Sequence, residues 1–150
     1  MSLELLETAL NEYESVGGAV TLDKVQTPAQ FDQVKSRLDL VVPQEFDELY
    51  SAYSCVEFGP IELVPIDRLL DCYDAFHRTF SSLTPDYVPF IADDAGGFFI
   101  IAFGETRDQG SEFGTVFYVP PSNPPELEYR SSNLFSFLER WVRQRIDFAK

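Results

Sequence analysis

Tyr87-Val88-Pro89-Phe90-Ile91-Ala92-Asp93-Asp94-Ala95-Gly96-Gly97-Phe98-Phe99-Ile100-Ile101-Ala102-Phe103 is the stretch that decides the fold. Two runs rich in aromatic and β-branched residues flank a short acidic, glycine-containing break. Such runs suit a pleated, buried surface, and the glycines supply the positive φ of a tight reversal, so the segment predicts a β-hairpin. A sheet therefore begins in the second half of the chain, and the flanking segments must cover it.

Downstream, the polar stretch from Gly104 to Gly114 reads as a long loop, and Thr115-Val116-Phe117-Tyr118-Val119 as the next strand. Pro120, Pro121, Pro124 and Pro125 stop that strand, because proline cannot donate to a ladder. Glu126 to Arg130 then reads as an edge strand. Ser131 or Ser132 can cap a closing helix that carries Phe135, Leu138, Trp141, Val142 and Arg145 on neighbouring positions.

Upstream, Asp67 can cap a helix whose Leu69, Tyr73, Phe76 and Phe80 recur at helical spacing, and Ile61 to Val64 forms a short strand before Pro65. Before the Phe58-Gly59-Pro60 break, Pro43 opens a helix with Phe46, Leu49, Tyr50 and Tyr53 as its apolar stripe and Glu45, Asp47 and Glu48 pointing elsewhere. A preceding helix starts at Thr27-Pro28 with Gln30 placed for a capping box, and Phe31, Val34 and Leu38 share its buried face. Residues 2–15 form a first amphipathic helix on Leu3, Leu6, Leu10 and Tyr13, ending before Gly17-Gly18. No internal repeat or long linker divides the chain. The order predicts a single α+β domain: a mostly antiparallel sheet of four to six strands with helices packed around it.

Composition narrows the function classes. Twenty-five acidic residues against eleven basic ones give a net charge of −14, which repels phosphate backbones and anionic membrane surfaces. Neither a nucleic-acid nor a membrane partner is expected. Residues 1–60 carry −8, residues 61–110 carry −6, and residues 111–150 are neutral, so a basic partner should meet the first two-thirds. The plainer reading is that such charge only keeps a protein soluble. The longest apolar run, Phe98 to Phe103, is far shorter than the ~20 residues of a membrane-spanning helix. Acids at the N-terminus, where a secretory signal would be basic and then apolar, lead to an expectation of a cytoplasmic protein.

Chemistry-bearing residues are sparse. His77 is the sole histidine and falls at the margin of an apolar helix face, where a structural role is the simpler reading. Cys72 lies five residues before it and points another way, so the two make a poor nucleophile–base pair, and Cys55 and Cys72 read as reduced structural thiols. Asp93-Asp94 sit in a turn, where acids more often cap than catalyse. Neither that turn nor Glu105 to Glu112 has the ligand spacing of a calcium loop. No nucleophile elbow, phosphate loop or dinucleotide fingerprint occurs. The expectation is a non-enzyme without cofactor or metal.

Several segments in this order resemble the SUKH superfamily of Smi/Knr-type fungal cell-wall regulators and bacterial immunity proteins. They are Val42-Pro43-Gln44-Glu45-Phe46-Asp47-Glu48-Leu49-Tyr50, Ile61-Glu62-Leu63-Val64-Pro65-Ile66-Asp67-Arg68-Leu69, the hairpin from Val88 to Ile100, Gly114-Thr115-Val116-Phe117-Tyr118, and Ser132-Asn133-Leu134-Phe135-Ser136-Phe137-Leu138. The likeness spans about residues 28 to 145, which makes residues 1–27 an N-terminal helical extension and residues 28–150 the resembling domain, together one globular unit. The resemblance implies a protein-binding domain that neutralises a basic toxin such as a nuclease; the alternative it implies is a regulatory module binding signalling or cell-envelope proteins. Candidate partner-binding residues are Glu45, Asp47, Glu48, Asp71, Asp74, Asp93 and Asp94, with Tyr50, Tyr53 and Tyr73 as aromatic anchors if they are exposed.

Overall fold

In the computed structural model, which describes residues 2–27, 29–104 and 112–149, α1 (Leu3–Ser15), β1 (Val20–Lys24), α2 (Ala29–Leu38) and α3 (Gln44–Ala52) come first. They are followed by β2 (Tyr53–Phe58), β3 (Ile61–Glu62), a short 3-10 turn (Ile66–Arg68) and α4 (Leu69–Thr79). The hairpin β4 (Tyr87–Ala92) and β5 (Phe98–Ala102), then β6 (Val116–Val119), β7 (Glu128–Ser131) and α5 (Leu134–Ala149) complete the chain. The fold is α+β, as the element order predicts. Pro28 and most of the loop expected between Gly104 and Gly114, including the segment weighed as a calcium loop, lie outside the described residues.

The strands divide into two antiparallel sheets, β1-β2-β3 and β4-β5-β6-β7. Val20-Thr21-Leu22-Asp23-Lys24 pairs with β2; Val20 and Leu22 alternate with Thr21 and Asp23, a short strand pattern that the sequence reading passed over. Tyr53 begins β2 and does not extend the α3 stripe. The sheets meet where the Val64 backbone N–H donates to the Phe90 carbonyl at 2.8 Å. That bond covers the outer edge of β4, an edge that also contains Pro89 and an irregular register between Pro89 and Ile91.

The unbroken apolar run of β5 has a reason: both faces of its sheet are covered. Ile100 and Ala102 pack with Phe76 of α4, with Phe80 just past its end and with Phe117, whereas Ile101 and Phe103 join the main core with Phe46, Leu138 and Val142. Alternate residues of one strand thus serve two clusters. Leu6, Ala9, Leu10 and Tyr13 of α1 are buried in that same main core.

Helix ends follow local chemistry, with two departures from the sequence reading. Ser2 caps α1, its hydroxyl accepting from the Leu5 N–H at 3.4 Å. At α2 the Thr27 carbonyl accepts from the Gln30 N–H, but the Gln30 Oε1 has no hydrogen-bond partner among the described residues, so the reciprocal capping-box bond is not made. At α5 it is Asn133, and neither Ser131 nor Ser132, whose side chain accepts from the Ser136 N–H, at 2.9 Å.

Candidate functional site

Where the end of β3, the 3-10 turn, α4, the β4–β5 reversal and α5 converge, they enclose a groove of about 700 Å³. Its floor is apolar. Phe99 and Trp141, both half-buried, lie with ring centroids 5.0 Å apart, and Ile91 and Val64 continue the surface. Trp141 is held from behind by Phe137 at 5.3 Å and Phe58 at 6.2 Å, so the floor is rigidly backed.

Four carboxylates line the groove: Glu62, Asp71, Asp93 and Asp94. Glu62 is paired with Arg68 at 2.8 Å. Asp93 is consumed by the reversal: its Oδ1 accepts from the N–H groups of Ala95 at 3.0 Å and Gly97 at 2.7 Å, and its Oδ2 accepts from the Tyr118 hydroxyl. Burial pushes the Asp93 carboxyl upward, but the Tyr118 hydrogen bond and the backbone N–H groups outweigh it and hold the group below its ordinary value. Asp71 and Asp94 are exposed and form no ion pair among the described residues. Those two carry the groove's unspent negative charge.

The reversal itself is fixed by glycine. Gly96 has φ of 92°, the left-handed region that side chains resist. Gly97 is needed for a different reason: a Cβ there would collide with the Tyr118 hydroxyl and stand 2.9 Å from the Asp93 Oδ2.

A model of the SMI1 / KNR4 family (SUKH-1) matches residues 26–140. The chain belongs to the SUKH-1 family. No curated protein matches the sequence.

In this SUKH-1 chain the residues singled out from sequence are not gathered in one place. Asp71, Asp93 and Asp94 line the groove. Asp74 stands farther along α4 in a shallow concavity with Asp71, His77 and Arg78. Glu45, Asp47 and Glu48 sit on α3 and serve local structure: Glu45 accepts from the Phe135 N–H at 2.8 Å, Asp47 pairs with Lys35 at 3.0 Å and takes the Ser51 hydroxyl, and Glu48 accepts from Gln44.

The tyrosine anchors require correction, because two of the three are buried. Tyr50 is 3% exposed and its hydroxyl donates to the Val64 carbonyl at 2.8 Å; Tyr53 is 8% exposed and donates to Glu7. An aromatic ring sealed into the core has no surface to offer a partner. Tyr73 is half-buried and bound to the Pro85 carbonyl. The sequence reading missed Glu62, Phe99 and Trp141, and only the meeting of β5 with α5 shows that two rings of core-like pattern stay open to water.

Among the described residues of this SUKH-1 chain, the cysteines and the histidine singled out from sequence are not assembled into a nucleophile–base pair. Burial pushes the Cys72 thiol up to about 11, with Arg68 opposing, and burial and then Glu57 raise the Cys55 thiol. Both sulfurs are therefore protonated near neutrality and are poor nucleophiles. The His77 Nε2 lies 2.8 Å from the Tyr87 carbonyl, so that nitrogen carries the hydrogen and its ring packs against Tyr73 and Phe76. Among the described residues, no three His, Cys, Asp or Glu side chains are placed to hold a metal ion, and no helix is long and apolar enough to cross a membrane.

Proposed function

We propose that this SUKH-1 chain is a non-catalytic binding protein of the immunity type, which neutralises a basic toxin by docking it over the groove. The observation that carries the reading is the unspent charge of Asp71 and Asp94 above an open Phe99–Trp141 floor. Aromatic rings presented on a rigid backing supply contact area at small entropic cost, and carboxylates beside them select for lysine and arginine and speed the encounter. The protonated thiols and the carbonyl-bound histidine support a role without covalent or acid–base chemistry.

The test is protection. Cells expressing a cognate basic toxin, sought first among the products of adjacent genes, should survive when the chain is co-expressed, and Asp71→Lys with Asp94→Lys should abolish survival while the variant stays folded. Binding to a neighbouring non-toxic protein, with no protection, would replace this reading by that of a regulatory module.

A further inference from the structure

A second concavity, of about 390 Å³, opens on the other side of the same two rings. It shares Phe99 and Trp141 with the acidic groove, and the remaining lining is Arg130, Phe137, Arg140 and Gln144. The charge there is reversed. Arg130 is partly satisfied, with Glu128 at 3.0 Å and the face of Tyr118 at 5.4 Å from the guanidinium carbon. Arg140 is exposed, spends one N–H on the Arg130 carbonyl at 2.8 Å, and has no carboxylate partner among the described residues. The two concavities therefore share one pair of aromatic rings, with unpaired carboxylates lining the first and a guanidinium without a carboxylate partner lining the second.

We infer that this shared ring pair takes one extended segment of the protein partner: a basic residue over Asp71 and Asp94, an apolar or aromatic residue on Phe99 and Trp141, and a carboxylate on Arg140. Charge complementarity fixes the order of the three. A wholly basic surface would leave Arg140 facing like charge, which costs affinity, whereas a segment that changes sign across its anchor satisfies both flanks. The spacing follows from dimensions: in an extended chain alternate side chains point to one face and each residue advances about 3.3 Å, so a basic residue two before the anchor and a carboxylate two after it share the anchor's face on its two flanks. A guanidinium can also hold a carboxylate through two parallel N–H bonds, which sets the register of the segment. The inference rests on the reading of the groove as the docking face, and it adds the shape and polarity of what docks.

Trp141 is the sole tryptophan, so its emission reports occupancy directly. The probe is the synthetic peptide acetyl-RKGFGE-amide, titrated into the full chain beside the same peptide ending in glutamine. Saturable change in Trp141 emission is expected, with the glutamate peptide binding at least threefold tighter than the glutamine peptide. Arg140→Glu should reverse that preference, and Asp94→Lys should weaken both peptides. No saturable change, or equal affinity for the two peptides on the wild-type chain, overturns the inference; that comparison needs no variant and is immune to misfolding. If a toxin identified by the protection test is bound by the wild type and lost in Asp71→Lys with Asp94→Lys, yet the peptides fail and Arg140→Glu is without effect on the toxin, the segment inference falls and the docking reading stands. If the toxin is bound as well by the groove variant as by the wild type, both fall.

Discussion

The Glu45 carboxylate accepts a hydrogen bond from the backbone N–H of Phe135, 90 residues away in sequence, at 2.8 Å. It sits at the N-terminus of α5, where unpaired N–H groups and the helix dipole favour a negative group. A residue that looks like a docking acid in sequence is thus a bolt between two helices.

Glu45→Ala should therefore cost about 1 kcal/mol of stability, as loss of a helix cap does. That is a fall of about 3 °C in melting temperature for a domain of this size. Glu45→Gln keeps an acceptor and should lose less. Thermal melts check the order, and affinity for the partner should be unchanged in both.

Tyr50→Phe tests whether that ring is an anchor or part of the core. It leaves the half-buried Val64 carbonyl without its donor, so stability should drop by about 1 kcal/mol. Denaturant unfolding measures the loss. Partner affinity measured well below the melting transition should not move, because the ring lies on the buried face of α3.

The Asp93 carboxyl gives a pH dependence with a definite sign. Its folded-state value lies below its ordinary one, so its contribution to stability is present above the ordinary carboxylate range and is lost as pH falls through the folded value. Urea midpoints followed from about pH 6 to about pH 3 should decline, and the decline should be shallower in Asp93→Asn and in Tyr118→Phe. A steeper decline in either variant would contradict the assignment.

Gly97→Ala should break the reversal by driving the Tyr118 hydroxyl off Asp93, at a cost of about 1–3 kcal/mol. Gly96→Ala costs about 1–2 kcal/mol through its positive φ alone. The two losses are separable: only Gly97→Ala should also abolish the pH dependence that Tyr118 confers.

What the sequence made legible was the set of elements with strong period or punctuation. Leu6, Leu10 and Tyr13 mark α1, Phe46 and Leu49 mark α3, and the Gly96-Gly97 reversal marks the hairpin, because each is determined by contacts or φ values within a few residues. Strand β1 was passed over although Val20 and Leu22 alternate with Thr21 and Asp23, because the run is short, mostly exposed, and acquires its partner only from β2, far along the chain. The candidate site was legible in part. Asp71, Asp93 and Asp94 stood out as acids in the right segments, but the floor they surround joins Phe99 of β5 to Trp141 of α5, and nothing local distinguishes those rings from Phe103 or Phe135, which are fully buried. Tyr50 misled for the converse reason: its spacing marked a helix face correctly, and only packing decides whether such a face meets the core or a partner.

The most direct test of the docking reading separates local charge from total charge. Affinity for the protein encoded by the adjacent gene should be measured for the wild type, for Asp71→Lys with Asp94→Lys, and for Glu14→Lys with Glu48→Lys, whose parent residues are exposed on α1 and α3. Both double variants change the net charge by the same amount. The account predicts at least a tenfold loss for the groove variant, about 1.4 kcal/mol, and a much smaller one for the helix variant; equal losses in the two, or full affinity in the groove variant, would contradict it.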